Sequence, residues 1–589
     1  MSRKLLIGLV LLAVLPWVLP PYWVTLLNYI GLASLVALGL CLMTGIGGMV
    51  SFGQAAFVGL GAYTSALLAT RYGISPWLGL GAALAFTGAV ALFLGAVTLR
   101  LGGHFLALAT IAWSLSLFYV FGNLEITGGF SGLSGIPALS IAGFELRAGE
   151  HFYYVIWLCV AFSVLAVTWL LDSRSGRAIR ALQGNTILAE SFGINTARLK
   201  VQVFVLAALL AGLSGWLYAH MQRFVNPTPF GLHISIEYLF MAVFGGAGHV
   251  AGAIAGSTVV ILLQQALKDL VPGLVGDSSE VELIAFGLLT ILVLHRARGG
   301  LWGFVAPYLE RAAGPRAVPD APPPPARALP AAGTPLLEIR GARKTFGGLT
   351  AVADIDFEVN AGEIVGLIGP NGAGKSTLFN LITGLLPLTA GEVGFRGQPI
   401  SGMRMRDISR LGIARSFQHV RLLTERSVLE NVALGAHLHG SAGLVRTLLR
   451  LERAEEGALL AHAARQLQRV GLSDEMHLPA GSLPLGKQRI VEVARALAAD
   501  PVLLLLDEPA AGLRYLEKQQ LAQVLSGLRS GGMSILLVEH DMDFVMDLTD
   551  RLVVLDFGTK LAEGQPAEIR ANPLVLEAYL GGVEAGGVE

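Results

Sequence analysis

Along the first 300 residues the apolar positions do not alternate with polar ones; they run on. Stretches long enough to cross about 30 Å of hydrocarbon recur. They lie near 5–20, 24–47, 52–70, 76–99, 104–122, 152–171, 201–221, 235–248, 251–267 and 281–296. The pattern predicts a polytopic α-helical membrane domain of about 8–10 spans. The range reflects two glycine-rich pieces, Gly45–Gly53 and Gly245–Gly252, which read as breaks or re-entrant segments. The opening Met1-Ser2-Arg3-Lys4 before an apolar run has the outline of a signal peptide. Because no small-residue cleavage site follows and further spans come at once, it is read as the first helix.

Beyond about residue 337 the period changes. Ile364–Ile368, Val502–Leu506 and Ile535–Val538 are short continuous apolar runs, the form taken by strands buried on both faces of a parallel sheet. Between the two regimes the chain passes through Gly314-Pro315 and Pro322-Pro323-Pro324-Pro325, which cannot build a core and predict an extended tether. The expected organisation is a membrane domain over 1–308, a Pro/Ala-rich linker over 309–336 and an α/β domain over 337–585.

Composition agrees with this division. Hydrophobic residues make up 53% and charged residues only 14% of the chain, against about 25% charged in soluble proteins, and the deficit falls in the first half. Formal net charge is zero, so nothing points to nucleic acid. The two cysteines, Cys41 and Cys159, sit in apolar runs, which excludes a disulfide framework. Basic residues set the orientation. Segment 172–200 carries Arg174, Arg177, Arg180, Arg198 and Lys200, and the last span is followed by His295-Arg296-Ala297-Arg298. Both are expected in the cytoplasm, with four spans between them. Glycines in the spans, such as Gly59, Gly61 and Gly95, suit close helix packing in lipid. Gln54, His104, Gln264 and Gln265 are polar positions within spans, candidates for lining a path or for a structural hydrogen bond.

The chemistry is concentrated in Gly369-Pro370-Asn371-Gly372-Ala373-Gly374-Lys375-Ser376-Thr377, directly after the first buried strand. It fits G-x-x-x-x-G-K-[ST]: backbone N–H groups wrap a phosphate, Lys375 adds a point charge, and the Ser376 hydroxyl suits Mg²⁺. Asp507 and Glu508 end the second apolar run, positions suited to holding a metal ion and polarising an attacking water. His540 follows the third run, at the edge of the sheet where ligands bind.

Taken in order, these motifs resemble the ATPases of ABC transporters. The resemblance implies ATP and Mg²⁺ as cofactors. It assigns Glu508 as general base, His540 to the γ-phosphate, and Gln418 of Ala414-Arg415-Ser416-Phe417-Gln418 as a sensor of γ-phosphate and Mg²⁺. Ser376, Gln418 and Asp507 are the metal positions, and Phe346 is an adenine platform. The signature position reads Leu483-Pro484-Leu485-Gly486-Lys487-Gln488-Arg489 rather than the common L-S-G-G-Q. Leu485, Gly486 and the following helix would still face a second subunit's nucleotide. Pro484 removes a hydroxyl and an N–H there, and Arg514 stands where Asp or Asn is usual.

More narrowly, Asp507-Glu508-Pro509-Ala510-Ala511-Gly512-Leu513, Val538-Glu539-His540-Asp541-Met542 and the tail Glu577-Ala578-Tyr579-Leu580-Gly581 resemble branched-chain amino acid importer ATPases. The first half, through Ser51-Phe52-Gly53-Gln54-Ala55-Ala56-Phe57, Ile126-Thr127-Gly128-Gly129 and the Gly176-to-Asn195 loop, is similar to the permeases of the same systems. The resemblance implies a fused permease and ATPase in a bacterial inner membrane. Its partners would be a second permease and a second ATPase subunit, or a second copy, with a periplasmic solute-binding protein. Similar architectures carry urea, short amides or aromatic acids. An exporter fits less well, since exporters usually place about six long spans before the ATPase and carry the full signature, and the polar residues within many spans argue against a purely regulatory membrane ATPase. In such importers a short loop helix docks on the ATPase; Ala189-Glu190-Ser191-Phe192-Gly193 matches it.

Overall fold

The computed structural model describes residues 13–99, 103–184, 186–275 and 318–580, with scattered positions between 284 and 303. The chain forms two compact units. One comprises 1–172, 197–314 and 447–450; the other comprises 173–196, 315–446 and 451–589.

The first unit is helical because a chain in hydrocarbon must satisfy its own backbone hydrogen bonds. Among the described residues its main helices are α1 (Pro21–Leu40), α2 (Gln54–Tyr72), α3 (Pro76–Thr98), α4 (Gly103–Asn123), α5 (Gly149–Leu171), α8 (Thr196–Gln222), α9 (Leu232–Gly246) and α10 (Val250–Val275). These answer eight of the ten expected spans. Those at 5–20 and 281–296 lie largely outside the described residues. Among the described residues six helices are long and apolar enough to cross a membrane: α1 with its extension to Ile46, α3, α4, α5, α8 and α10. Helix α9 is shorter. Helix α2, with more small and polar residues, is mostly buried within the unit and need not face lipid.

Both glycine-rich pieces interrupt helices. Helix α1 runs into a π-helical turn, Cys41–Ile46, and α9 stops at Gly246, whose φ of +112° few other residues adopt. The two breaks meet: a Cβ on Gly45 would fall 1.5 Å from the Ala247 carbonyl oxygen. Close packing also explains glycines inside the spans, since a Cβ on Gly61 would lie 2.2 Å from Gly212 O. Gln54 is fully buried with neither amide atom partnered, while Gln264 and Gln265 line a cavity. The side chain of His104 lies outside the described residues.

The second unit is an α/β domain. A six-stranded sheet has the order β6-β7-β8-β3-β9-β10. Its strands are β3 (Ile364–Ile368), β6 (Ile413–Arg415), β7 (Leu503–Asp507), β8 (Ser534–Val538), β9 (Arg551–Asp556) and β10 (Thr559–Gly564). All neighbours are parallel except β9 and β10. The three runs read as buried strands are β3, β7 and β8, side by side and buried at every position. An antiparallel sheet, β2-β1-β4-β5, is built from β1 (Pro335–Phe346), β2 (Leu349–Asn360), β4 (Ala390–Phe395) and β5 (Gln398–Pro399). The two sheets share one core, in which Leu337, Phe357 and Val393 pack with Leu367 and Leu505.

The described part of the linker is extended, as its prolines require, yet it is not free. The Arg327 amide donates to the Asp500 carboxylate, its guanidinium to Arg410 O at 2.8 Å, and Arg465 donates to Ala321 O at 3.1 Å. The sequence predicts an extended tether, and to it the structure adds hydrogen bonds at Ala321 and Arg327 that hold it against the α/β domain.

Candidate functional site

Strand β3 delivers the chain into the loop 369–374, and helix α11 (Lys375–Ile382) begins at its far side. The loop turns tightly because Gly369, Gly372 and Gly374 all take positive φ. Gly374 could carry no side chain, since a Cβ would lie 2.4 Å from Ala351 O. The ammonium of Lys375 sits inside the turn and donates to Gly369 O at 2.7 Å and Pro370 O at 2.9 Å. Burial lowers its pKa, opposed by the charges of Glu508 and Asp507. Pro370, Asn371, Ala373, Ser376 and Thr377 complete the loop and first helical turn, with Asn371 and Ser376 facing solvent.

Asp507 and Glu508 lie at the C-terminal end of β7, beside that loop in the parallel sheet. Asp507 is buried and paired with Arg415, whose guanidinium donates to Oδ2 at 2.9 Å; its Oδ1 has no partner. Glu508 holds a φ of +46°, a strained conformation that costs about 1–3 kcal/mol for a residue with a side chain. That strain aims its carboxylate at the glutamine loop, where Gln418 Nε2 donates to Glu508 Oε2 at 2.9 Å. His540 Nδ1 stands 4.0 Å from the same oxygen, with the ring largely exposed. Lys375, Asp507, Glu508, Gln418 and His540 therefore converge on one edge.

Phe346 lies at the end of β1, half exposed, with the Lys344 ammonium 5.1 Å from its ring centre. It pairs with Leu349 on β2, two residues before Ala351, which touches Gly374. Leu485 and Gly486 stand apart. They open helix α14 (Leu485–Leu497) behind Pro484, whose side chain offers no cap. No hydrogen bond or ion pair among the described residues joins them to the phosphate loop. Leu485 is exposed, while Gly486 is buried, and a Cβ on it would meet Glu517 at 2.6 Å.

Residues not foreseen from the motifs hold this edge in shape. Glu539, fully buried, accepts the Ala510 amide at 2.6 Å and the His540 amide at 3.2 Å, bracing the turn after Glu508. Burial raises its pKa. Arg489, one turn into α14, donates to Phe417 O at 3.1 Å and Gln418 O at 2.5 Å. Arg495 of the same helix donates to Arg421 O at 2.8 Å and to Glu492 at 3.1 Å. Tyr579 is half-buried in the helix Pro573–Leu580, and burial pushes its phenol up to about 12. A buried arginine or glutamate in this sequence had only its residue type as a signal.

Residues 173–196 belong to this same unit. Helix α6 (Arg174–Gly184) and helix α7 (Thr186–Ser191) are followed by Phe192, which is buried, and by Gly193 at φ +75°. Arg177 makes a two-pronged pair with Glu456 at 2.5 and 3.1 Å, and Arg174 donates to His437 O and Ala442 O at 2.8 Å each. The Arg495 guanidinium lies 5.3 Å from the Phe192 ring centre. Phe192 thus touches the arginine that holds Arg421 in the glutamine loop.

Comparison with known proteins matches both halves. Residues 22–294 match the family described as "Branched-chain amino acid transport system / permease component". Residues 352–511 match "ABC transporter", and 559–585 match "Branched-chain amino acid ATP-binding cassette transporter". The chain is similar to the high-affinity branched-chain amino acid transport ATP-binding protein LivG of Escherichia coli (strain K12). Identity is 44% over 250 residues, covering 42% of this chain and 98% of that protein. The ATP-binding protein BraF of Pseudomonas aeruginosa is 40% identical over 250 residues, with the same coverage. A crystal structure of an ABC transporter cassette in its ADP conformation is 32% identical, covering 42% of this chain and 99% of its own, with a TM-score of 0.39.

Proposed function

Because the chain belongs to the branched-chain amino acid family of ABC transporters, we propose that it is an importer subunit for branched-chain amino acids. It joins the permease (1–308) and the ATPase (337–585) in one polypeptide through the linker 309–336. The observation that carries this reading is the convergence of the phosphate loop, Asp507, Glu508, Gln418 and His540 in a chain that also holds, among its described residues, six helices long and apolar enough to cross a membrane.

The loop amides and Lys375 hold the phosphates of ATP, and Phe346 offers its face to the adenine. Mg²⁺ fits the residues present: the unpartnered Asp507 Oδ1, the exposed Ser376 hydroxyl and the Gln418 amide oxygen are hard oxygen donors. When bound, the ion neutralises charge on the β- and γ-phosphate oxygens. Arg415 donates to Asp507 Oδ2 and leaves Oδ1 open. Glu508, strained into place, accepts a proton from the attacking water, and Gln418 holds that carboxylate until nucleotide arrives. His540 approaches the γ-phosphate from the neighbouring strand.

The chain carries one permease and one cassette, whereas two of each make a transporter of this kind. A second permease and a second ATPase subunit, or a second copy, complete it, and Leu485 and Gly486 face the partner's phosphate loop. A periplasmic solute-binding protein delivers the amino acid, and the protein sits in the bacterial inner membrane with its cassette in the cytoplasm. Residues 173–196 transmit closure, since Phe192 leans on Arg495 and so on the glutamine loop. Nucleotide binding and phosphate release on the purified complex test the chemistry. Glu508→Gln is expected to keep ATP bound and lose turnover. Wild-type turnover in that variant would remove Glu508 from its role.

A further inference from the structure

A cavity of about 510 Å³ lies within the helical unit, between α1, α9 and α10, in the size range of about 300–1,000 Å³ that small-molecule sites occupy. Each helix lines it with one stripe. Helix α9 supplies Ile234, Glu237, Tyr238 and Met241; α10 supplies Ile261, Gln264, Gln265 and Lys268. Both follow the i, i+3, i+4, i+7 spacing of a single helix face. Helix α1 adds Tyr22, Leu26, Tyr29 and Ala33 at the same kind of spacing. Glu237 is the only acid of α9. No hydrogen bond or ion pair engages Glu237 or Lys268 among the described residues. Gln265 donates to Asp269 Oδ1 at 3.1 Å along its own helix, which leaves an acid, a base and the Gln264 amide on cavity-facing stripes; unpaired groups of this kind in membrane helices are costly and suit a ligand path.

The position is also specific. Helices α5 and α8 connect to residues 173–196 through Leu171 and Thr196, so their other ends, Gly149 and Gln222, mark the far side of the membrane. Asn28 of α1 donates to Gly149 O at 2.9 Å, and Gln222 donates to the Tyr29 hydroxyl. Tyr22 and Tyr29 therefore place this end of the cavity by the ends of α5 and α8 opposite to those that continue into residues 173–196.

We propose that this cavity is the permease's site for a zwitterionic, apolar amino acid. Glu237 takes the α-ammonium, Lys268 the α-carboxylate, and Leu26, Ile234, Met241 and Ile261 the branched side chain. A ligand with both charges and an apolar body uses every class of group the three stripes present; an apolar lipid chain uses only one. The site rests on the import reading above and adds where the amino acid binds after delivery.

The test uses the assembled transporter in nanodiscs, with Ile261→Cys as a reporter and Cys159→Ala to silence the half-buried natural thiol; Cys41 is fully buried. The rate of labelling by a water-soluble maleimide is read with leucine, with isopentylamine, which lacks the carboxylate, and with 4-methylpentanoate, which lacks the ammonium. Leucine is expected to slow labelling. Each single-charge analogue should need about 10- to 100-fold more for the same protection, the loss of one charge-assisted hydrogen bond. Glu237→Gln should erase the advantage of leucine over 4-methylpentanoate, and Lys268→Gln its advantage over isopentylamine. Labelling untouched by leucine, in a complex that still accumulates leucine with ATP, would overturn the site and leave the import reading standing. Labelling blocked by assembly alone would also overturn it, identifying the cavity as a seam covered by the second permease. A complex that moves no branched-chain amino acid would remove the reading and the site together.

Discussion

Truncating Phe192 to alanine is expected to separate ATP hydrolysis from transport, and the size of the effect follows from how the ring is held. Phe192 is 1% exposed, and its ring carries the Arg495 guanidinium 5.3 Å from its centre. Removing a fully buried phenylalanine costs about 3–5 kcal/mol. Here the cost falls on seating residues 173–196 against the cassette, because the ring belongs to that segment and packs on the other. At 1.4 kcal/mol per tenfold, the seating equilibrium weakens by roughly 10² to several times 10³. Arg177 and Arg174 still pair with Glu456 and Glu455, so the cassette keeps its fold and Glu508 its surroundings. In proteoliposomes the variant should hydrolyse ATP within about twofold of wild type while uptake falls at least tenfold, given that weakening. Phe192→Leu, which keeps much of the volume, should lose far less. The quantity to read is molecules transported per ATP hydrolysed. Equal loss of hydrolysis and uptake would mean that Phe192 serves folding alone, and an unchanged ratio would refute the coupling argument.

Other expectations follow from the same geometry. Lys375→Ala removes the charge inside the phosphate loop and should weaken nucleotide binding, read by titration with a fluorescent ATP analogue, while thermal stability stays close to wild type. In a complex with a partner cassette carrying an unaltered signature, the site containing Lys375 and Glu508 should carry most of the hydrolysis. The opposite site lacks the donors that Pro484 removes, and one aimed donor is worth roughly 10²–10³ in rate; disabling each glutamate in turn decides it, and near-normal turnover with Glu508 disabled would refute it. His462 is buried, and burial holds its imidazole down at about 4, well below the ordinary 6.5; burial also lowers His437 and His439. A histidine neutral in the fold but protonated when unfolded destabilises as pH falls. Cassette stability should therefore drop between pH 6.5 and 4, by about 1.4 kcal/mol per unit for His462. His462→Gln should flatten that slope in thermal unfolding.

What the sequence made legible was local. The phosphate loop is a continuous string after a strand, so its glycines and Lys375 could be read directly. Asp507, Glu508 and His540 were legible because they end apolar runs that can only be central strands. Arg415 was not: its meaning comes from Asp507, 92 residues away. Glu539 braces Ala510 across 29 residues, and Arg489 reaches Gln418 across 71. The linker shows the same limit, since its prolines foretell an extended chain but not that Arg327 meets Asp500, 173 residues on. In the membrane half Gln264 and Gln265 stood out as polar. Only packing brought them together with Glu237 and Tyr29, because helix stripes from distant segments share no sequence signal.

The central claim, that ATP hydrolysis at Glu508 drives branched-chain amino acids through this chain, is tested most directly by uptake of labelled leucine. The assay uses proteoliposomes holding the assembled complex, with ATP on the cassette side and the cognate binding protein on the other. Wild type should accumulate leucine only with hydrolysable ATP, and Glu508→Gln should bind ATP yet stay at background. Accumulation at the wild-type rate in the Glu508→Gln complex, or a wild-type complex indifferent to every branched-chain amino acid, would contradict it.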